Sequence, residues 1–251
     1  MLDREAVDRR INNGLGFLEL LRTSENKHKF WETLDPKIDH KVWPQSQYLM
    51  YVLFTVLGNA SEASGVKANN DFLEPAGDRE GLALDRFCII IEDKDSYALN
   101  RISNQANRYS EDCISLLGLY CQEREKEKLW PIKNLRYRLP SSEKCVTQLA
   151  GYYDNELGFF SNQSKPAELY KLSLFAIFAA KAFNQEWCRK LTDRLMETQS
   201  DNGGWKTHWI GRMTPNPVGT VENLETTALS LMALSLSLRL LERETKASSR
   251  T

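Results

Sequence analysis

Histidine is nearly missing from this chain: His28, His40 and His208 are the only three in 251 residues. Cysteine is also sparse. Cys88, Cys113, Cys121, Cys145 and Cys188 are scattered and flanked by apolar residues, and no CxxC pair occurs. An odd, dispersed set argues against a disulfide framework, and these residues read as reduced thiols buried as small hydrophobes. A cytoplasmic location is the expectation. An excess of charge of either sign is missing too. The net charge is −1, and basic and acidic residues interleave, as in the run from Glu123 to Lys128. No broad field is therefore available for nucleic acid or an acidic membrane surface. No apolar run reaches the roughly 18 residues of a bilayer span, so no integral membrane segment is expected. Met1-Leu2-Asp3-Arg4-Glu5 is too polar for a signal peptide. Finally, there is no GxSxG, no P-loop and no dinucleotide fingerprint.

What is present is helical pattern. Val7, Ile11, Leu15, Leu18 and Leu21 recur at spacings of four or three and predict an amphipathic helix over 3–22. A polar loop carrying Phe30-Trp31 and Trp43-Pro44 precedes Tyr48–Leu57, which is apolar on almost every side and stops at Gly58-Asn59. Residues 59–95 read as an irregular excursion, with a short apolar run at Leu84–Ile91 that periodicity cannot assign. Helices are expected over 95–108 and 111–128, the second capped by Ser110. Another, capped by Ser141 or Ser142, should run through Tyr152, and Asn155–Phe160 makes a turn. Pro166 suits the start of an apolar helix over 167–183. An amphipathic helix over 185–199 follows. Gln199-Ser200-Asp201-Asn202-Gly203-Gly204-Trp205 is a glycine turn, and a last apolar helix begins near Glu225.

These apolar helices align with one another. Glu225-Thr-Thr-Ala-Leu-Ser-Leu-Met-Ala matches Glu168-Leu-Tyr-Lys-Leu-Ser-Leu-Phe-Ala at an offset of 57, and Ser110-Glu-Asp-Cys-Ile-Ser-Leu-Leu-Gly matches at a further 58. Ser115, Ser173 and Ser230 fall on the same register. The Gln47–Leu57 helix lies about one period upstream and matches in hydropathy. One polar-faced and one apolar helix per period is a helical-hairpin repeat, whose units must stack to bury their apolar helices. The expectation is one all-α domain over 1–251, an α/α toroid or partial toroid of about four hairpins.

Arg194–Trp205 (RLMETQSDNGGW) resembles the QW repeat of squalene–hopene and oxidosqualene cyclases, whose wider superfamily includes protein prenyltransferase β subunits. The resemblance covers roughly 142–243 well, 3–58 fairly and 59–95 poorly. It implies that Gln199 and Trp205 are joints between outer helix and turn, with Gly203 and Gly204 supplying positive φ angles. It also implies a search for the acid with which class II terpene cyclases protonate an alkene or epoxide. No DxDD motif occurs. Asp93-Lys94-Asp95-Ser96 is nearest, with Asp95 in the proton-donor position, and Glu225 and Glu168 open apolar helices, where an acid also satisfies the helix dipole. Trp43, Phe160, Tyr170, Trp205 and Trp209 are the candidate pocket aromatics, whose ring faces stabilise carbocations. His208, between Trp205 and Trp209, is a candidate at the pocket mouth, while His28 and His40 are expected on the surface. A prenyltransferase-type zinc site is not expected, since no cysteine lies at ligand spacing from a histidine. The DDxxD run of class I terpene synthases is absent as well, so neither metal nor cofactor is expected.

Two functions stay open. One is a terpene-cyclase-like enzyme that cyclises an apolar isoprenoid or polyene by acid-initiated, metal-independent chemistry, using Asp95 or Glu225 with Asp93 nearby. The other is a non-catalytic helical-repeat scaffold that binds a protein partner or lipid-like ligand in its concave face. About four hairpins fall short of the family's closed ring, so a homodimer that completes one toroid is a further expectation.

Overall fold

The computed structural model describes residues 3–38, 41–42, 44–69, 146–147, 150–151, 153–155, 158–160, 169–207 and 221–248. Over these residues the architecture is all-α. The helices are α1 (Arg4–Leu20), α2 (Pro44–Leu57), α3 (Ala60–Ala68), α4 (Leu169–Lys181), α5 (Gln185–Glu197) and α6 (Leu224–Ser248). Two short strands, β1 (Tyr153–Asp154) and β2 (Phe159–Phe160), pair antiparallel with Tyr153 opposite Phe160. They flank the turn expected at Asn155–Phe160.

Helix α1 starts where Asp3 accepts hydrogen bonds from the N–H groups of Glu5 and Ala6. Such a cap satisfies donors that the first turn otherwise leaves orphaned. Val7, Ile11, Phe17 and Leu18 are buried along one stripe, and Leu15 is half-buried at its edge. That stripe packs across α6. Helix α6 is the centre of the fold, flanked by α4 on one side and α2 on the other, with α5 lying across both α4 and α6. The apolar helices thus form a row in the order α4, α6, α2, and the more polar α5 and α1 lie outside it.

The middle turns of α4 and α6 are buried on every face. All residues from Leu172 to Ala180 and from Thr226 to Ser235 are at most 8% exposed. A 19-residue window of α6, Leu224–Glu242, is long and apolar enough to cross a bilayer, and 72% of it is buried inside the protein. It is the core helix of the packed row.

Two turns lead from the row to the outer helices by the same geometry. After α2, Gly58 takes φ 78° and the Asn59 N–H donates to the Phe54 carbonyl at 2.8 Å. After α4, Phe183 takes φ 54° and the Asn184 N–H donates to the Ala179 carbonyl at 2.8 Å. Each bond reaches five residues back into the last turn, as in the bond that closes a Schellman motif. Each asparagine then caps the next helix: Asn59 accepts from the Glu62 N–H and Asn184 from the Trp187 N–H.

Three sequence expectations change here. Residues 60–68, read as part of an irregular excursion, form α3, whose only buried residues are Ala63 and Val66. Two small apolar contacts leave too weak a period to read in a stretch rich in serine and glycine. Pro44, assigned to a loop, opens α2, where a residue without an N–H is no loss. His28, expected at the surface, is only 19% exposed in its side chain, because its ring packs over Gly65 of α3. The remainder of the excursion to residue 95, the helices expected over 95–128, the caps Ser141 and Ser142, Ser115 and Pro166 lie outside the described residues.

Candidate functional site

The Gln199–Trp205 turn is built as a joint. Its Gln199 amide donates to the Gly203 carbonyl at 2.8 Å and to the Arg10 carbonyl of α1 at 2.9 Å. The Gln199 carbonyl oxygen accepts from the Arg10 guanidinium at 3.3 Å. Trp205 is wholly buried, and its indole N–H donates to the Leu195 carbonyl of α5 at 2.9 Å. Gly203 takes φ 91°, and a Cβ there would collide with the Asn13 carbonyl oxygen of α1. Gly204 is needed for space and not for a positive φ, which corrects the sequence expectation. A Cβ at Gly204 would lie 2.7 Å from Cβ of Glu222 and 3.0 Å from the Phe17 ring.

In α6 and α2 the fourth residue of the helix holds the backbone of the aromatic turn before it. The Trp205 N–H donates to Oγ1 of Thr227, fourth in α6, at 3.0 Å. The Phe30 N–H donates to Oε1 of Gln47, fourth in α2, at 3.0 Å, and Nε2 of Gln47 returns a bond to the Phe30 carbonyl at 2.8 Å. Both aromatic rings are thereby fixed beneath the starts of the apolar helices, and Phe30 and Trp205 have no exposure.

Above these joints, the N-terminal ends of the row helices gather polar groups. Glu32 is 6% exposed. Its carboxyl accepts from the Ser46 hydroxyl of α2 at 2.5 Å and from the Glu225 N–H of α6 at 3.3 Å. Its backbone carbonyl accepts from the Leu224 N–H at 2.8 Å. Asn223 caps α6 by accepting from the Thr226 N–H at 2.9 Å and donates to Oγ1 of Thr207 at 2.9 Å. The hydroxyls of Thr207 and Thr226 are 2.9 Å apart, and the Thr207 carbonyl accepts from the Leu169 N–H of α4 at 2.8 Å. With Thr227 N–H bonded to the Asn223 carbonyl, the first four N–H groups of α6 all have protein acceptors. This helix end does not offer the open donors that make a phosphate site.

Glu222 braces the turn from beneath. Burial pushes its carboxyl up, but a hydrogen bond from Ser200, its own backbone N–H, Lys206 and Asn202 together hold it below the ordinary glutamate value. Its Oε1 lies 3.5 Å from the Lys206 ammonium.

Of the residues singled out from sequence, Glu225 is second in α6, half-buried, with its N–H on Glu32. Tyr170 is half-buried at the start of α4, its ring centroid 5.9 Å from the ammonium of Lys171, which is itself 5% exposed. Trp205, a candidate pocket aromatic, is wholly buried in the turn between α5 and α6, with its indole N–H on Leu195. Phe160 belongs to β2. Asp93, Asp95, Trp43, Glu168, His40, His208 and Trp209 lie outside the described residues. Sequence reasoning missed Glu32 because it stands in a loop beside a tryptophan, without periodic context. The hint was only an acidic residue directly after an aromatic joint. Among the described residues, no three of His, Cys, Asp and Glu gather as a metal site.

Comparisons with protein-family models, with curated proteins and with solved structures gave no match.

Proposed function

We propose that the chain is an α/α toroid of helical hairpins and acts as a terpene-cyclase-like enzyme. In this reading it cyclises an apolar isoprenoid or polyene by acid-initiated, metal-independent chemistry. The supporting observation is the meeting of Glu225 and Glu32 at the N-terminal ends of two apolar helices, α6 and α2. The cyclase resemblance puts the proton donor at such an end. Glu32 spends its carboxyl oxygens on Ser46 and on the start of α6, as a cap does. In this reading the acid for the substrate is Glu225, near the start of α6, or Asp95 outside the described residues. The occupied donors of α6 favour a neutral polyene over a diphosphate ester, since a diphosphate would need those N–H groups free.

The experiment is product analysis after incubating the purified protein with neutral linear polyenes of increasing isoprene number. Cyclic products from the parent chain support the reading. Glu225→Gln or Asp95→Asn should abolish them without lowering the melting temperature, and whichever variant still turns over is not the acid.

A second reading rests on the burial of α4 and α6 on every face between Leu172 and Ala180 and between Thr226 and Ser235. Helix middles so covered offer no open groove, and the polar groups of the joints are used in holding units together. A non-catalytic scaffold would show this packing, with ligand or partner contact shifted to the helix ends, at Tyr170 and Glu225. Under this reading no polyene is consumed by the parent chain.

A further inference from the structure

Three glycine contacts show how one hairpin meets the next. In the β1–β2 turn Gly158 takes φ 69°, and a Cβ there would lie 2.8 Å from Nε of Arg194 on α5. In the next turn Gly203 closes on the Asn13 carbonyl of α1. In the turn after α1 the contact is reversed, with the His28 ring over Gly65 of α3. Each turn is therefore covered by the outer helix of the following hairpin. The first contact leads from the α4 hairpin to the α5–α6 hairpin, and the third leads from α1–α2 to α3. Both pairs are also neighbours along the chain, joined by the Phe183-Asn184 and Gly58-Asn59 turns.

The second contact joins hairpins at opposite ends of the sequence. Helix α1 sits on α6 and on its turn as α5 sits on α4 and on the β1–β2 turn. The registers agree. Adding the repeat offset of 57 to Gln185, the first residue of α5, gives position 242. Arg4, the first residue of α1, lies 3.0 Å from Glu242. Asp3, the cap of α1, stands in the role that Asn184 has for α5 and Asn59 for α3. Across this seam run the bonds between Gln199 and Arg10, the Glu32 bonds to Leu224 and Glu225, and the Thr33–Asn223 backbone bridge. Gly14 lets Leu231 and Trp205 approach α1 so closely that a Cβ would fall 2.7 Å and 3.0 Å from them.

We infer that the edge of the last hairpin is a docking surface whose occupant is the chain's own α1, so that the first hairpin follows the last and no second copy is needed there. The surface is apolar at Trp205 and Leu231 and polar at Gln199 and Asn223, and α1 meets it with Phe17, Gly14 and the Arg10 carbonyl. This arrangement is the alternative to the homodimer expected from the sequence. It uses packing alone and holds whether or not the chain is an enzyme.

Two measurements on the full chain test it. Sedimentation of the parent protein across low to high micromolar concentration should give a monomer. A circular permutant should join Thr251 to Met1 through a flexible Gly/Ser linker and open the chain between Phe183 and Asn184. Such linkers reach roughly 5–6 Å times the square root of their residue number, so a dozen residues suffice for the last turns of α6. The permutant moves the seam from α6/α1 to α4/α5 and should keep the parent's far-UV spectrum and unfolding cooperativity. A parent dimer in which α1 contacts the partner's Trp205 overturns the inference. So does a monomeric parent whose permutant loses its helix signal.

Discussion

Ser173 and Ser230, 57 residues apart, share a hydrogen bond of 2.9 Å between their hydroxyl oxygens in the buried seam of α4 and α6. The offset equals the spacing at which the two apolar helices align in the sequence, so aligned positions of α4 and α6 touch. Each hydroxyl also lies within bonding distance of the carbonyl four residues back, Leu169 at 3.1 Å and Thr226 at 2.8 Å. Losing one serine leaves the other with its own helix carbonyl as a partner. Ser173→Ala and Ser230→Ala should therefore each cost only about 1 kcal/mol in denaturant unfolding. The double variant should lose less than the sum, because the shared bond is removed once. Additive losses would show that the pair does not couple.

Trp205 predicts a larger effect. Its ring is fully buried and its N–H is bonded to Leu195, so Trp205→Phe leaves that carbonyl with the Thr198 hydroxyl alone and opens a void beside Gly14. A loss of about 2–4 kcal/mol is expected from the buried bond and the cavity together. The denaturant midpoint checks it, and a change under about 0.5 kcal/mol, the size of an ordinary surface substitution, would remove Trp205 from the joint.

Phe183 predicts a gain. It is 65% exposed and held at φ 54°, a conformation that costs a bulky L-residue about 1–3 kcal/mol. The equivalent position after α2 is Gly58. Phe183→Gly releases the strain but gives back some chain entropy in the unfolded state, so a net stabilisation of about 0.5–1 kcal/mol is expected. Thermal unfolding measures it, and a fall in melting temperature would mean that the ring does more than end a helix.

Acid dependence should trace to Glu222. Its carboxyl is held below its ordinary value of 4.5 in the folded protein. The stability it contributes is complete above that value and lost as pH falls through the lower folded one. Stability measured from pH 6 down to pH 3 should fall less steeply in Glu222→Gln than in the parent. Parallel curves would contradict the assignment.

The apolar helices were legible because a period of 3.6 and a buried stripe leave a direct trace in the sequence. The structure holds Gln199 against Arg10 and Gly203, and Trp205 against Leu195, contacts that the turn's own sequence does not name. The rest depended on partners far away in the chain. Glu32 becomes a cap only because α6 starts beside it, 193 positions on. Gln47 and Thr227 share a role by their place in the helix, not by side-chain type, so no residue pattern marks them. The Phe183-Asn184 turn was hidden because an aromatic stands where a glycine would have announced a left-handed residue.

The most direct test of the proposed chemistry is a product assay on the parent chain in chelator-containing buffer, with a neutral linear polyene as the only substrate. The account predicts a cyclic isomer of unchanged mass, lost in Glu225→Gln or in Asp95→Asn while both variants keep the parent's melting temperature. Linear substrate recovered intact from the parent, across the whole polyene series, would contradict it and leave the scaffold reading.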